Sequence, residues 1–172
     1  IADAQKFGSV INTMADNVGG SEKELADFLV RASGIATTFN EGIAATTAFG
    51  AVLASINMPM EVAATGLQSM MAYAMAPASP ERLEQWAGMM NVTVDQLKAK
   101  LEQDLYGTLI ESSNAIASVG TETEQQQARI AIWGEGGARV SSGLVGMQNK
   151  YNEALKMGNE QLKTGSSLAQ AF

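Results

Sequence analysis

The chain has 172 residues, eleven basic and eighteen acidic side chains, a net charge of −7, and neither His nor Cys. Without His it lacks the commonest general base and the main zinc ligand, and without Cys it has no disulfide framework and no thiolate chemistry. The acidic balance disfavours nucleic acid and anionic lipid as direct partners.

Apolar residues make up 46% of the chain, but 27 residues are Ala, and Leu, Ile, Val and Phe together number only 37. That lies near the roughly 20% level below which a charged chain tends to stay unfolded. A core built from this sequence must rely on closely packed small residues and Met. The first residue is Ile1, and no basic segment leading into an apolar stretch follows it. The sequence therefore reads as a piece of a longer chain.

The punctuation is helical from the start. A first helix spans 2–18 and stops at Gly19-Gly20. Ser21 and Glu24 form the S-x-x-E capping box, and Leu25, Phe28, Leu29, Ala32, Ala36 and Phe39 then recur at helical spacing, which predicts a helix over 22–39. Further helices are predicted at 42–57 and 60–76. Ser79-Pro80 places a capping hydroxyl before a Pro at the first helical position of a short helix, 80–90. Thr93 and Gln96 cap a long helix, 94–118, with Val94, Leu97, Leu101, Leu105 and Leu109 on its apolar stripe and Gly120 as its stop. Thr121 and Glu124 repeat the box before a helix at 122–133. Helices at 137–157 and, weakly, at 160–172 complete the series. No stretch alternates apolar and polar residues in the manner of a strand. The expected fold class is all-α, a compact array of about eight or nine short-to-medium helices with no sheet. Its expected division is a core module over 1–120 and a C-terminal extension over 121–172.

Residues 42–60 and 62–80 carry no charge. Both runs are filled with Ala, Gly, Thr and Ser, and Asn57, Pro59 and Pro77 interrupt them. Only Leu, Ile, Phe and Val favour insertion, by about 0.3–0.6 kcal/mol each. A tightly packed helix pair therefore suits these runs better than a membrane hairpin through 42–76. Seven of the ten Met residues fall between Met58 and Met90, and they read as filler of an irregular core.

Tests for chemistry come out against it. Gly134-Glu135-Gly136-Gly137 lacks the Lys and Ser or Thr of a phosphate loop, and Arg139 stands where a dinucleotide fingerprint needs Gly, so the cluster reads as a flexible helix–helix joint. Glu111-Ser112 and Gly143-Leu144-Val145-Gly146-Met147-Gln148 resemble, superficially, elements of lysozyme-like transglycosylases, which use a Glu kept protonated in an apolar cleft. Here Glu111 falls with Asp95, Glu102 and Asp104 on the wet face of a helix, interleaved with Lys98 and Lys100, so it reads as a surface carboxylate. Trp86 and Trp133 read as anchors of helix–helix contacts. No catalytic, cofactor-binding or metal-ligating residue is assigned.

The order of helices, glycines and small residues resembles the core region of phage tail tape measure proteins. The resemblance runs through Ser21-Glu22-Lys23-Glu24-Leu25-Ala26-Asp27-Phe28-Leu29, Phe39-Asn40-Glu41-Gly42-Ile43 and the stretch from Ser55 to Leu67. It continues through Ala87-Gly88-Met89-Met90-Asn91-Val92 and the run from Ile130 to Ala138, and covers roughly residues 7–157. It implies a virion component of the phage tail, assembled in the bacterial cytoplasm, whose length sets tail length and which leaves ahead of the DNA. It implies contacts with further copies of itself and with tail tube or tail-tip proteins, and brings no catalytic residues or cofactor. As one unbroken helix the chain would measure about 260 Å at 1.5 Å per residue. Gly19-Gly20, Pro59, Pro77, Pro80, Gly120 and Gly136-Gly137 interrupt it, so a folded docking or oligomerisation module is expected rather than a measuring rod. Two other functions remain open at this level: a cell-wall hydrolase with Glu111 as general acid, and a membrane-active protein that inserts residues 42–76.

Overall fold

The computed structural model describes residues 2–76 and 79–165. Among these, all regular structure is helical: α1 (Ala2–Asn17), α2 (Glu22–Thr38), α3 (Ile43–Ser55), α4 (Met60–Met75), α5 (Pro80–Met89), α6 (Val94–Gln103), α7 (Leu105–Ala117), α8 (Glu122–Leu144) and α9 (Gln148–Thr164). The all-α fold class and the number of helices match the expectation. The three capping boxes form as their spacing requires. In the first, Glu24 N donates to Ser21 Oγ at 3.2 Å and Ser21 N donates to Glu24 Oε2 at 2.7 Å. Thr93 with Gln96 and Thr121 with Glu124 repeat the pattern.

The helices sort into two compact units. One holds α1, α2, α3 and α9, and the other holds α5 to α8 with α4 from Ala64 onward. The sequence division after residue 120 falls at the α7–α8 joint, within the second unit.

In the first unit α3 is the central helix. Every residue from Ala44 to Leu53 is buried, which explains why the run carries no charge: a helix enclosed on all sides has no wet face. Its small side chains bring its neighbours close. A Cβ on Gly50 would meet the Phe28 ring, and a Cβ on Gly19 would lie 2.6 Å from Ser55 N. Phe28 and Phe49 pack with ring centroids 6.4 Å apart. The C-terminal helix returns to this bundle, with Gly158 of α9 set against Met14 and Ala44. Ser9 Oγ donates to Gly165 O at 2.8 Å.

The second unit centres on two tryptophans. Trp86 of α5 and Trp133 of α8 are fully buried and meet edge to face, with centroids 5.3 Å apart and planes at 84°. Trp86 Nε1 donates to Ser112 Oγ at 2.7 Å, so burial does not leave this indole donor unsatisfied. Small polar residues of α7 bond to α8 and the loop after it: Ser141 Oγ donates to Ser113 Oγ at 2.9 Å, and Gly146 N, just past α8, donates to Asn114 Oδ1 at 2.8 Å. Leu97, Leu101, Leu105, Leu109, Ile116, Ile132 and Leu144 fill the remaining core.

Several expectations are corrected. The helix expected over 94–118 is two helices, broken at Asp104 (φ −155°, ψ 86°). The Asp104 carboxylate accepts from Gly107 N at 3.0 Å and so caps α7, while Thr108 Oγ1 donates to Lys100 O at 3.1 Å and ties the two ends together. The joint expected over Gly134-Glu135-Gly136-Gly137 narrows to its first residue, Gly134 (φ 73°, ψ 175°), inside α8. Positive φ with extended ψ is open essentially to Gly alone, so Gly134 is where the helix turns. Gly136 and Gly137 are helical. They give α4 its close approach: Gly66 sits against Val140 and Gly136 O, and Gly137 against Met70.

The helix expected over 137–157 is interrupted between Leu144 and Gln148, and α9 runs on to Thr164. Of the weak helix expected at 160–172, residues 160–164 belong to α9 and residues 166–172 lie outside the described residues, as does Pro77. Ser79 makes no capping bond, so Pro80 alone marks the start of α5.

The two charge-free runs also differ from each other. Unlike α3, α4 buries one face (Ala64, Leu67, Met70, Met71, Ala74) and leaves Thr65, Gln68, Ala72 and Tyr73 exposed. Met60, Met70 and Met71 are buried as filler, but Met75 is exposed.

Candidate functional site

Glu111 lies in the middle of α7 and faces a shallow depression of about 270 Å³ lined also by Lys100, Asp104, Thr108 and Gln148. The two elements that resemble transglycosylase motifs do come together there, since Gln148 shares the depression. The surroundings are wrong for a general acid. The Glu111 side chain is 53% exposed and forms an ion pair with Lys100 Nζ at 3.2 Å, whereas a carboxyl group kept protonated needs apolar, water-poor walls. Asp104 is committed to capping α7. The acidic face read from the sequence is thus split between two helices and a cap.

Residues 42–76 supply α3 and α4, of 13 and 16 residues. At 1.5 Å per residue they span about 20 and 24 Å, short of the roughly 30 Å of a bilayer core. Among the described residues, no helix is long and apolar enough to cross a membrane. Among the same residues, no group of three or more His, Cys, Asp or Glu side chains is placed to hold a metal ion.

A groove of about 660 Å³ lies in the second unit. Its walls come from the two arms of α8 and the end of α7. The first arm contributes Glu122, Gln126, Arg129 and Ile130, the second Ser142, and Val145 follows just past its end. The turn at Gly134 is what faces these arms toward one another. The Tyr73 ring covers that turn, 3.1 Å from where a Cβ on Gly134 would stand, and the Arg82 guanidinium lies over the same ring, 4.4 Å from its centroid. Gln125 Nε2 donates to Ala117 O at 3.1 Å and fixes the first arm to α7.

Arg129 was not singled out from the sequence. It is only 7% exposed, and its Nε has no hydrogen-bond partner. Burial holds its guanidinium below the ordinary arginine pKa. The signal that would have found it is positional. Arg129 stands three and four residues before Ile132 and Trp133, on the stripe of α8 that faces the core.

The fold and these surfaces define a helical protein built on close small-residue crossings, with polar side chains used mainly as caps and helix–helix links. Comparison with known proteins makes the class specific. Residues 1–134 match the family model described as phage-related minor tail protein, and the chain belongs to that family. It is a phage tail protein with a structural role, and its place is the tail of the virion, among other tail components. No curated protein and no solved structure matches it.

Proposed function

We propose that this chain is a structural and interaction module of a tail tape measure protein, serving tail assembly and tail-length determination rather than catalysis. The observation that carries the reading is the minor tail family match over residues 1–134, which overlaps most of the tape measure resemblance over roughly residues 7–157. The helix lengths support a docking or oligomerisation role over that of a rod. The longest uninterrupted helices, α2 and α9, have 17 residues, about 25 Å each at the α-helical rise. Its partners in this reading are further copies of itself and the proteins of the tail tube or tail tip.

An in-frame deletion of these residues in the phage that encodes them tests the proposal, with tails viewed by negative-stain electron microscopy. The expected result is absent or aborted tails. Complete tails of normal length would overturn it. Complete tails shortened by about 260 Å, the length of the segment as a continuous helix, would overturn the docking role in favour of a rod.

A further inference from the structure

The groove of α8 contains a charge that the fold leaves unanswered. Arg129 is more than nine-tenths buried and lines the groove, and its buried Nε has no hydrogen-bond partner. A guanidinium carries five N–H donors in a planar fork, and a buried cation without an anion is strongly disfavoured. Such an arrangement is stable in use when a ligand brings the missing charge.

We infer that the groove between the arms of α8 is a docking site for an acidic segment of a partner protein, with a carboxylate seated on Arg129. The fork of Arg129 fits a carboxylate through two parallel hydrogen bonds. Around it, Thr123, Gln126, Gln127 and Ser142 offer polar atoms suited to a peptide backbone, and Ile130 and Val145 offer apolar contact. The volume, about 660 Å³, holds a short stretch of chain rather than a lone ion.

Charge decides between a protein carboxylate and a nucleic acid phosphate. Among the described residues Arg129 is the only basic one lining the groove, Glu122 lines it too, and the whole chain has a net charge of −7. A polyphosphate strand needs several cations along its path. One carboxylate, placed away from Glu122, needs one. The kink at Gly134 fixes the spacing of the walls, so the site is built into the fold. This inference stands independently of the tape measure assignment, since any tail partner presenting an acidic segment satisfies it.

The test is fluorescence anisotropy of a labelled octaglutamate peptide titrated with the full chain at 150 mM salt. Saturable binding is expected, with Arg129→Gln weakening it about tenfold or more, the loss expected for a charged hydrogen-bonded pair. Arg129→Lys keeps the charge but loses the fork, and is expected to weaken binding as well. Arg139→Gln, on the exposed side of the second arm, is expected to bind like the unmutated chain. Circular dichroism checks that each variant is folded, and if Arg129→Gln is not, Arg129→Lys decides. No saturable binding, equal binding by the Arg129 variants, or displacement of the peptide by an equal concentration of an eight-nucleotide single-stranded DNA would each overturn the proposal.

Discussion

Replacing Gly66 by Ala separates two effects of opposite sign. Gly66 lies within α4, so on helix propensity alone Ala would stabilise the chain by about 1 kcal/mol. The structure opposes this. The new Cβ would overlap Val140 Cγ2 and stand 2.7 Å from Gly136 O. A side-chain end can yield, but the second contact is backbone of a helix, so α4 and α8 would have to separate. Overpacking of this kind costs about 1–3 kcal/mol, and the backbone contact argues for the upper half of that range. The net expectation is a loss of about 1–2 kcal/mol, the overpacking term less the propensity gain. Gly34 supplies the control. It lies within α2 on an exposed face, and nothing stands within 4 Å of its ideal Cβ, so Gly34→Ala is expected to gain about 0.5–1 kcal/mol. Urea denaturation at 25 °C, followed by far-ultraviolet circular dichroism, measures both. A Gly66→Ala variant as stable as the parent, or more so, would refute the close crossing of α4 and α8.

Other substitutions probe the joints and the depression around Glu111. Gly134→Ala is expected to destabilise by about 1–3 kcal/mol, because it forces a side chain into a backbone region open essentially to Gly and against the Tyr73 ring; thermal denaturation measures it. Asp104→Ala removes the cap of α7 and is expected to lower stability by about 1 kcal/mol, whereas Asp104→Asn, itself a good capping residue, should recover most of it in the same urea assay. Glu111→Gln breaks only an exposed ion pair, so a stability change within about 1 kcal/mol is expected. Neither that variant nor the unmutated chain should release muropeptides from purified cell wall, and release that depends on Glu111 would restore the hydrolase reading.

The helix ends were largely legible in the sequence because capping is local. Ser21 with Glu24, Thr93 with Gln96 and Thr121 with Glu124 each specify a start through bonds made within four residues. The break at Asp104 was hidden by the leucine register, since Leu97, Leu101, Leu105 and Leu109 keep their four-residue spacing across it. The clue was Asp104 three residues before Gly107, a short acceptor facing a residue with no side chain to obstruct it. Gly134 and Gly136-Gly137 could not be told apart by composition. Only the packing partners show that one turns the chain and the others admit a neighbouring helix. The difference between α3 and α4 was likewise invisible, because neither run contains a charge to mark a wet face.

Long-range pairings account for the rest. The return of α9 to α1 and α3 rests on Gly158 against Met14 and on Ser9 bonded to Gly165, contacts between residues more than 140 positions apart. Arg129 was hidden for a related reason. Beside Gln125, Gln126 and Gln127 it reads as part of a polar surface, and it becomes notable only once the turn at Gly134 and the end of α7 enclose it.

Whether the chain is a tape measure module of the tail is decided by quantitative mass spectrometry of virions before and after DNA ejection. Peptides from this chain are expected in intact particles and depleted from emptied tails, as for a component that leaves ahead of the DNA. Peptides retained in full by the emptied tails would contradict it.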